Sequence, residues 1–246
     1  VVFAEGGGQA EHIVRVDRSG SPLSAAQSSS PRYPQVGFEY AGTDVYAAVY
    51  DPGHYTVYWS NGSTSVAEAK RLPSEITVGG DWSVRFDPDW GPKEAVVFPE
   101  LISWTESPEP LIRYYSGKAV YENAFDLDKD QIRGRKVLLD LGNVQDVAVI
   151  RVNGHEFPVS WCSPYEVDIT PYVRAGRNRL SVDVVNLWPN RLIGDGKLPP
   201  GERMTRSNIS KYDAPDAEKY MRVSGLLGPV RVKFFERVKI TPQDKN

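Results

Sequence analysis

Hydrophobic residues in this chain recur at every second position over short runs, and no stretch sustains the 3.6-residue period of an amphipathic helix. Leu180, Val182 and Val184 alternate with Ser181 and Asp183, the pattern of an antiparallel strand with one face buried and one face wet. Further strands are predicted over residues 82–86, 95–98, 118–127, 136–141, 147–152, 157–161, 165–169, 179–187 and 230–238. Asn153-Gly154 fits a type I′ hairpin, and Ala175-Gly176-Arg177-Asn178 is another turn. About eight strands with turns at short intervals predict an all-β sandwich.

Upstream, Ile13-Val14-Arg15-Val16 predicts one short strand, and the serine-rich stretch from Ser19 to Ser30 predicts a mobile loop or linker. Residues 45–50, 55–59 and 64–69 predict a small β meander, turning at Asp51-Pro52-Gly53 and at Asn61-Gly62. A sheet that small needs one face covered, so it is expected to lean on the larger domain. Pro73 marks a boundary. Residues 1–72 are read as a small β subdomain and linker, the remnant of a preceding domain, and residues 73–246 as the main domain. The chain opens Val1-Val2-Phe3, without methionine or signal-peptide pattern, and reads as a fragment of a longer polypeptide, engineered or proteolytic.

One stretch breaks the rhythm. Between Trp188 and the strand at Val230 lie roughly forty residues of little periodicity, and loops of that length are uncommon unless they have a task. Two readings stand side by side: a functional loop, or one that packs against a neighbouring domain.

Composition narrows the classes. The 19 prolines and 21 glycines suit many short strands, and 40% hydrophobic residues suffice for a core. A net charge of −3 without a clustered basic excess gives no nucleic-acid footprint. No apolar run approaches the roughly 20 residues of a membrane span. The single Cys162 excludes an intramolecular disulfide and is neutral on compartment.

Catalytic patterns are sparse. Histidines occur only at 12, 54 and 155, and His155, just past the Asn153-Gly154 turn, is expected to be exposed. Ser224-Gly225 lacks the G-x-S-x-G elbow, and no CxxC, HExxH or calcium-loop spacing appears, so no cofactor is expected. A glycosidase needs two carboxyls about 5–9.5 Å apart across the bond. Glu202, Asp213, Asp216 and Glu218 lie in the long aperiodic stretch, where a solvated charged loop explains them equally well.

Sugar binding asks for less. Sugars present apolar C–H faces and many hydroxyls, so a binder combines aromatic platforms with Asn, Asp and Arg. Asn186, Trp188, Asn190, Arg191 and Asp195 supply that mixture in one run at a strand end, and Trp90, in the turn Asp87-Pro88-Asp89-Trp90-Gly91, adds a candidate exposed ring. A plainer reading stands beside it, with Trp188 capping the core and Arg191 paired with a carboxylate. Trp59, Trp82 and Trp104 are expected to pack inside, while Trp161 lies at a strand end.

Residues 121–186 resemble the sugar-binding jelly roll of glycoside hydrolase family 2 through an ordered series: Tyr121-Glu122-Asn123-Ala124-Phe125, Val137-Leu138-Leu139-Asp140-Leu141-Gly142, Val149-Ile150-Arg151-Val152-Asn153-Gly154, Tyr165-Glu166-Val167-Asp168-Ile169-Thr170 and Gly176-Arg177-Asn178-Arg179-Leu180. A closer resemblance is to the C-terminal end of the glycoside hydrolase family 106 α-L-rhamnosidases. It rests on Gly80-Asp81-Trp82-Ser83-Val84-Arg85-Phe86, Trp104, Tyr114-Tyr115-Ser116-Gly117, the run from Asn186 to Asp195, and Ser224-Gly225-Leu226-Leu227-Gly228-Pro229-Val230. Residues 73–235 carry it well and the first seventy only loosely; Val1-Val2-Phe3 resembles the last strand of a preceding β domain in those enzymes.

The resemblance implies a galactose-binding-domain-like β-sandwich, a jelly roll, with a small N-terminal β meander. It implies a non-catalytic carbohydrate-binding or accessory module of a hydrolase acting on plant or microbial polysaccharide, in a secreted or periplasmic bacterial setting. The family's catalytic carboxylates belong to an upstream barrel, so a carbohydrate and a neighbouring catalytic domain are the implied partners, with neither nucleic acid nor membrane. In the family 2 pattern a polar side chain two residues after the matching tryptophan lines the barrel's sugar subsite, the place Asn190 takes here. Jelly rolls of this type sometimes hold a structural calcium, to which no residue points. A purely structural domain bracing the barrel and an independent glycosidase remain as alternatives.

Overall fold

A computed structural model describes residues 11–19, 36–42 and 44–241. The expectations for Val1-Val2-Phe3 and for the serine-rich stretch beyond Ser19 lie outside the described residues. The chain divides into two compact units, one formed by Val1–Ser74, Arg133–Lys136 and Phe234–Asn246, the other by Glu75–Ile132 and Val137–Lys233. The fold is the predicted all-β sandwich of antiparallel sheets. Among the described residues no helix is long and apolar enough to cross a membrane.

In the first unit the three predicted strands are present, but they do not form a meander. Gly53–Trp59 pairs with Thr64–Ala69 on one side and with Ile13–Ser19 on the other. Asp44–Val49 instead pairs with Val36–Ala41 and with residues 236–240. The reason lies in burial. Passing from one sheet to the other sets the apolar faces of Val45, Ala47 and Val49 and of Tyr55, Val57 and Trp59 in a single core, with Ala67, Ala69 and Ile240. A meander would have left those faces side by side and wet. The Trp59 indole N–H donates to Ser65 Oγ at 2.8 Å, which satisfies the polar atom that its burial would otherwise strand.

The second unit is organised by a six-stranded antiparallel sheet in the order His155–Glu156, Val147–Val152, Gly176–Val185, Lys118–Leu127, Trp82–Phe86, Val96–Phe98. Gly176–Val185 is its long central strand, paired along its whole length with Lys118–Leu127. Leu180, Val182 and Val184 point inward as the alternation predicts, beside Ile150, Val152, Tyr121 and Phe125, all buried. The opposing layer supplies Val137 and Leu139, on a strand paired with Glu166–Asp168, and Val232, paired with Ile76. Between Asn143–Gln145 and Gly225–Gly228 runs a short two-stranded ladder.

One end of this core is aromatic. The Tyr115 ring lies 4.8 Å from Phe86 and 5.4 Å from Trp104, both edge to face, and the Trp104 indole N–H donates to the Tyr121 hydroxyl at 2.5 Å. Burial pushes the Tyr121 hydroxyl far above its ordinary pKa, so it stays protonated at any physiological pH. Trp82 and Trp104 are buried, as expected. His155 differs from expectation: the Asn153-Gly154 hairpin lays it, half-buried, flat on Tyr172 with ring centroids 3.5 Å apart.

Candidate functional site

The run from Asn186 to Asp195 does not open a loop. Pro189–Gly196 is an α-helix, with Pro189 in the first turn, where its fixed φ and missing N–H carry no penalty. Its buried face is mostly polar: Asn190, Arg191 and Asp195, with Ile193 and Gly194. Such a face is tolerated only if each buried group finds a partner.

Those partners come from distant segments. Asn186 Nδ2 donates to the Tyr115 carbonyl at 3.0 Å and to Ser224 Oγ at 2.9 Å, and its Oδ1 accepts from the Gly117 N–H. Asn190 Nδ2 donates to the Arg222 carbonyl and to Ser224 Oγ, while Oδ1 accepts from the Arg222 N–H at 2.7 Å. The Arg191 N–H donates to Ser116 Oγ, which in turn donates to the Leu187 carbonyl. Arg191 Nη2 lies 2.9 Å from Asp195 Oδ1, both side chains about 5% exposed, and Asp195 Oδ2 accepts from Thr205. That pair is close in distance but not aligned as a hydrogen bond, and Arg191 Nε finds no acceptor among the described residues.

The structure therefore separates the candidates into two sets. Asn186, Asn190, Arg191 and Asp195 are buried and mutually braced, and every polar atom of the Asn190 amide is already engaged. Trp188 is 58% exposed and meets Trp90 edge to face, ring centroids 6.1 Å apart. Trp90 sits in a tight turn closed by the Gly91 N–H on the Asp87 carbonyl at 2.8 Å. Gly91 is buried, and a Cβ there would come within 2.9 Å of Phe86 and Tyr115, so glycine lets the turn rest on the aromatic core. The outcome is a pair of indoles presented on a rigid base.

Ser116, Thr205, Arg222 and Ser224, which hold the helix, were not singled out as site residues in the sequence. Two of them lie in the quoted stretches Tyr114-Tyr115-Ser116-Gly117 and Ser224-Gly225; nothing local announces that these close on the 186–195 run.

Of the carboxylates of the long segment, Glu202 is exposed and makes no ion pair among the described residues, while Asp213, Asp216 and Glu218 are committed. Asp213 lies 3.4 Å from Arg203 Nη1, and Asp216 pairs with Lys219. Glu218 accepts from the Tyr114 hydroxyl at 2.6 Å and lies 2.9 Å from Lys197 Nζ, which together hold its carboxyl below the usual range. A depressed folded-state pKa contributes stability that is present above the unfolded carboxylate value and lost as pH falls through the folded one. Acidification below the ordinary carboxylate range is therefore expected to release residues 217–220 from Tyr114. Amide hydrogen exchange across pH 3–6 checks this, and unchanged protection would refute it. Elsewhere, burial pushes the Asp146 carboxyl up, opposed by Arg222. Among the described residues no group of three or more His, Cys, Asp or Glu side chains could hold a metal ion.

Against known proteins, the family described as "Glycosyl hydrolases family 2, sugar binding domain" matches residues 69–209, more than half of the chain. The chain belongs to this family. The match includes the whole helix and both indoles. Among curated proteins, the "Putative beta-glucuronidase" of Formosa agariphila is 34% identical over 205 residues, 74% of this chain. Among solved structures, the rhamnosidase from Novosphingobium sp. PP1Y is 25% identical with a TM-score of 0.58 over 89% of this chain. The chain spans 17% of the first relative's length and 25% of the second's. It is a galactose-binding-like region of the kind found in glycoside hydrolases, as the residue series implied.

Proposed function

We propose that this chain is a non-catalytic, carbohydrate-binding accessory module of an α-L-rhamnosidase-like glycoside hydrolase, and that Trp188 with Trp90 forms its sugar platform. The observation that carries the reading is Trp188 itself. A large indole is left in water while the neighbouring Asn186 and Asn190 are buried with their amides fully hydrogen-bonded, the reverse of what folding alone favours. An edge-to-face neighbour fixes the ring's orientation, and a rigid aromatic face suits the C–H surface of a pyranose. The non-catalytic part is supported by the fate of the carboxylates, since Asp195, Asp213, Asp216 and Glu218 are each held by a basic residue. The rhamnosidase part leans on the likeness over 89% of the chain and on the Asn186-to-Asp195 run. A secreted or periplasmic setting and a neighbouring catalytic domain follow from the same resemblance.

The test is a binding screen against rhamnose-containing pectic oligosaccharides, galactans and xylans, with Trp188→Ala alongside. Binding to one of these is expected, weakened about tenfold or more by the substitution, since a lost aromatic contact is worth about 1 kcal/mol or more. Trp188→Ala should leave the melting temperature nearly unchanged, because the ring is mostly exposed. Rhamnose release by the chain alone at enzyme-like rates would overturn the non-catalytic reading.

One observation favours a second reading, a bracing domain without sugar affinity. Leu187 and Val223, each about half exposed, adjoin in sequence the bonded pair Asn186 and Ser224, so two more apolar side chains meet water near the start of the helix. Absence of binding to every glycan in the screen would favour it.

A further inference from the structure

A cleft of about 910 Å³ opens on the outer face of the six-stranded sheet, and none of its lining residues belongs to the Trp188 group. Because Leu180, Val182 and Val184 point into the core, the same strand turns Arg177, Arg179 and Ser181 outward. Residues two apart on one face stand about 7 Å apart, so the strand presents two guanidinium groups in a row. Arg151 stands opposite Ser181 in register, and Arg174 closes the same end of the cleft.

These arginines are not alike. Arg151 is locked by Asp183 at 2.7 Å and by Glu156 at 2.7 Å, so its charge is spent within the fold. Among the described residues Arg174, Arg177 and Arg179 make no ion pair, although Asp126 stands opposite Arg177 in register. Glu122 and Asp81 line the cleft further along, and they too make no ion pair among the described residues. The chain as a whole carries −3, so an unpaired arginine row is a local departure from its average.

Arginine's planar fork matches carboxylate and sulfate bidentately. Free carboxylates beside it accept from hydroxyls. The geometry points to a second saccharide site here, one that takes an acidic glycan. A carboxylate or sulfate substituent seats on Arg177 and Arg179, and hydroxyls of the adjoining residues donate to Glu122 and Asp81. The inference rests on the carbohydrate-binding reading for the kind of ligand and on the cleft for its charge. A nucleic acid would use the same row through its phosphates, but it would leave Glu122 and Asp81 facing more negative charge.

The experiment is calorimetric titration of the chain with oligogalacturonate and with its methyl ester, and with a sulfated galactan and its desulfated form. Arg177→Gln/Arg179→Gln and Trp188→Ala are measured in parallel. At least one acidic form is expected to bind about tenfold tighter than its neutral counterpart at low salt. That preference should weaken several-fold in about 0.5 M salt, where the Debye length falls to roughly 4 Å. The pair of pairs tells carboxylate from sulfate. The arginine double variant, whose substituted side chains are exposed, should lose the preference and keep any neutral binding. Trp188→Ala should keep the preference, so failure of the indole platform and failure of this site give different patterns. Equal binding of acidic and neutral forms, a preference that survives the double variant, or equally tight binding of single-stranded DNA would each overturn it.

Discussion

Arg191→Met is expected to destabilise the second unit by about 3–5 kcal/mol, the usual consequence of leaving a buried carboxylate without its cation. Asp195 is nearly inaccessible, and after the substitution only Thr205 would still donate to it. Removing the arginine also removes what spans the helix from within, since its guanidinium lies where a Cβ on Gly194 would come to 2.8 Å. In a domain of this size that loss corresponds to a fall of roughly 10 °C in melting temperature. Arg191→Met/Asp195→Leu should recover most of it, because a well-packed apolar pair often equals a buried ion pair. Calorimetry of the three variants closes the cycle. If the single variant melts within about 2 °C of the parent, the pair is not the brace described above.

This expectation also separates the two sets of candidate residues. On the proposed reading, substituting Arg191 should weaken sugar binding only through lost stability, whereas Trp188→Ala should weaken it in a folded protein. A ligand-independent loss of stability is the mark of the buried set, and a stability-neutral loss of affinity the mark of the exposed one.

How far the fold could be read in advance depended on what each element hides. The strand Gly176–Val185 was plain because its inward set is apolar and its outward set polar, which is all that a period of two can signal. The helix Pro189–Gly196 was not, because its buried face is made of Asn190, Arg191 and Asp195. Read by hydropathy those residues belong to a surface, and two glycines and a proline within the run suggest a loop. What makes the face buriable is Ser116 and Ser224, far away in the chain and therefore invisible to any local pattern.

The same limit applies to Asp44–Val49 and Gly53–Trp59. Their alternation is identical whether they pair edge to edge or face each other from two sheets, so the strands were legible and their partners were not. Within the run from Asn186 to Asp195, composition alone could not tell the residues that brace the fold from those left exposed. Burial sorts Asn190 from Trp188, and burial is a tertiary property.

Gly142→Ala is expected to be the most damaging single substitution in the second unit, at more than about 4 kcal/mol, or loss of soluble protein altogether. Two costs combine. The residue sits at φ +66°, where a side chain costs about 1–2 kcal/mol by itself. A Cβ would also stand 2.5 Å from the backbone of Gly228, its partner in an isolated bridge, and a main chain cannot rotate out of the way as a side chain can. Displacing that bridge would pull on the Gly142 N–H that donates to Asp140, and Asp140 holds Lys233 at 2.7 Å in a mostly buried ion pair. Gly154→Ala is the matched control, with φ +88° but nothing within 4 Å of the added carbon. It should cost only the conformational term, about 1–2 kcal/mol. Denaturant midpoints for the two variants decide the matter: a large gap places the cost in the Gly142–Gly228 approach, and equal midpoints would mean that this close approach is not part of the fold in solution.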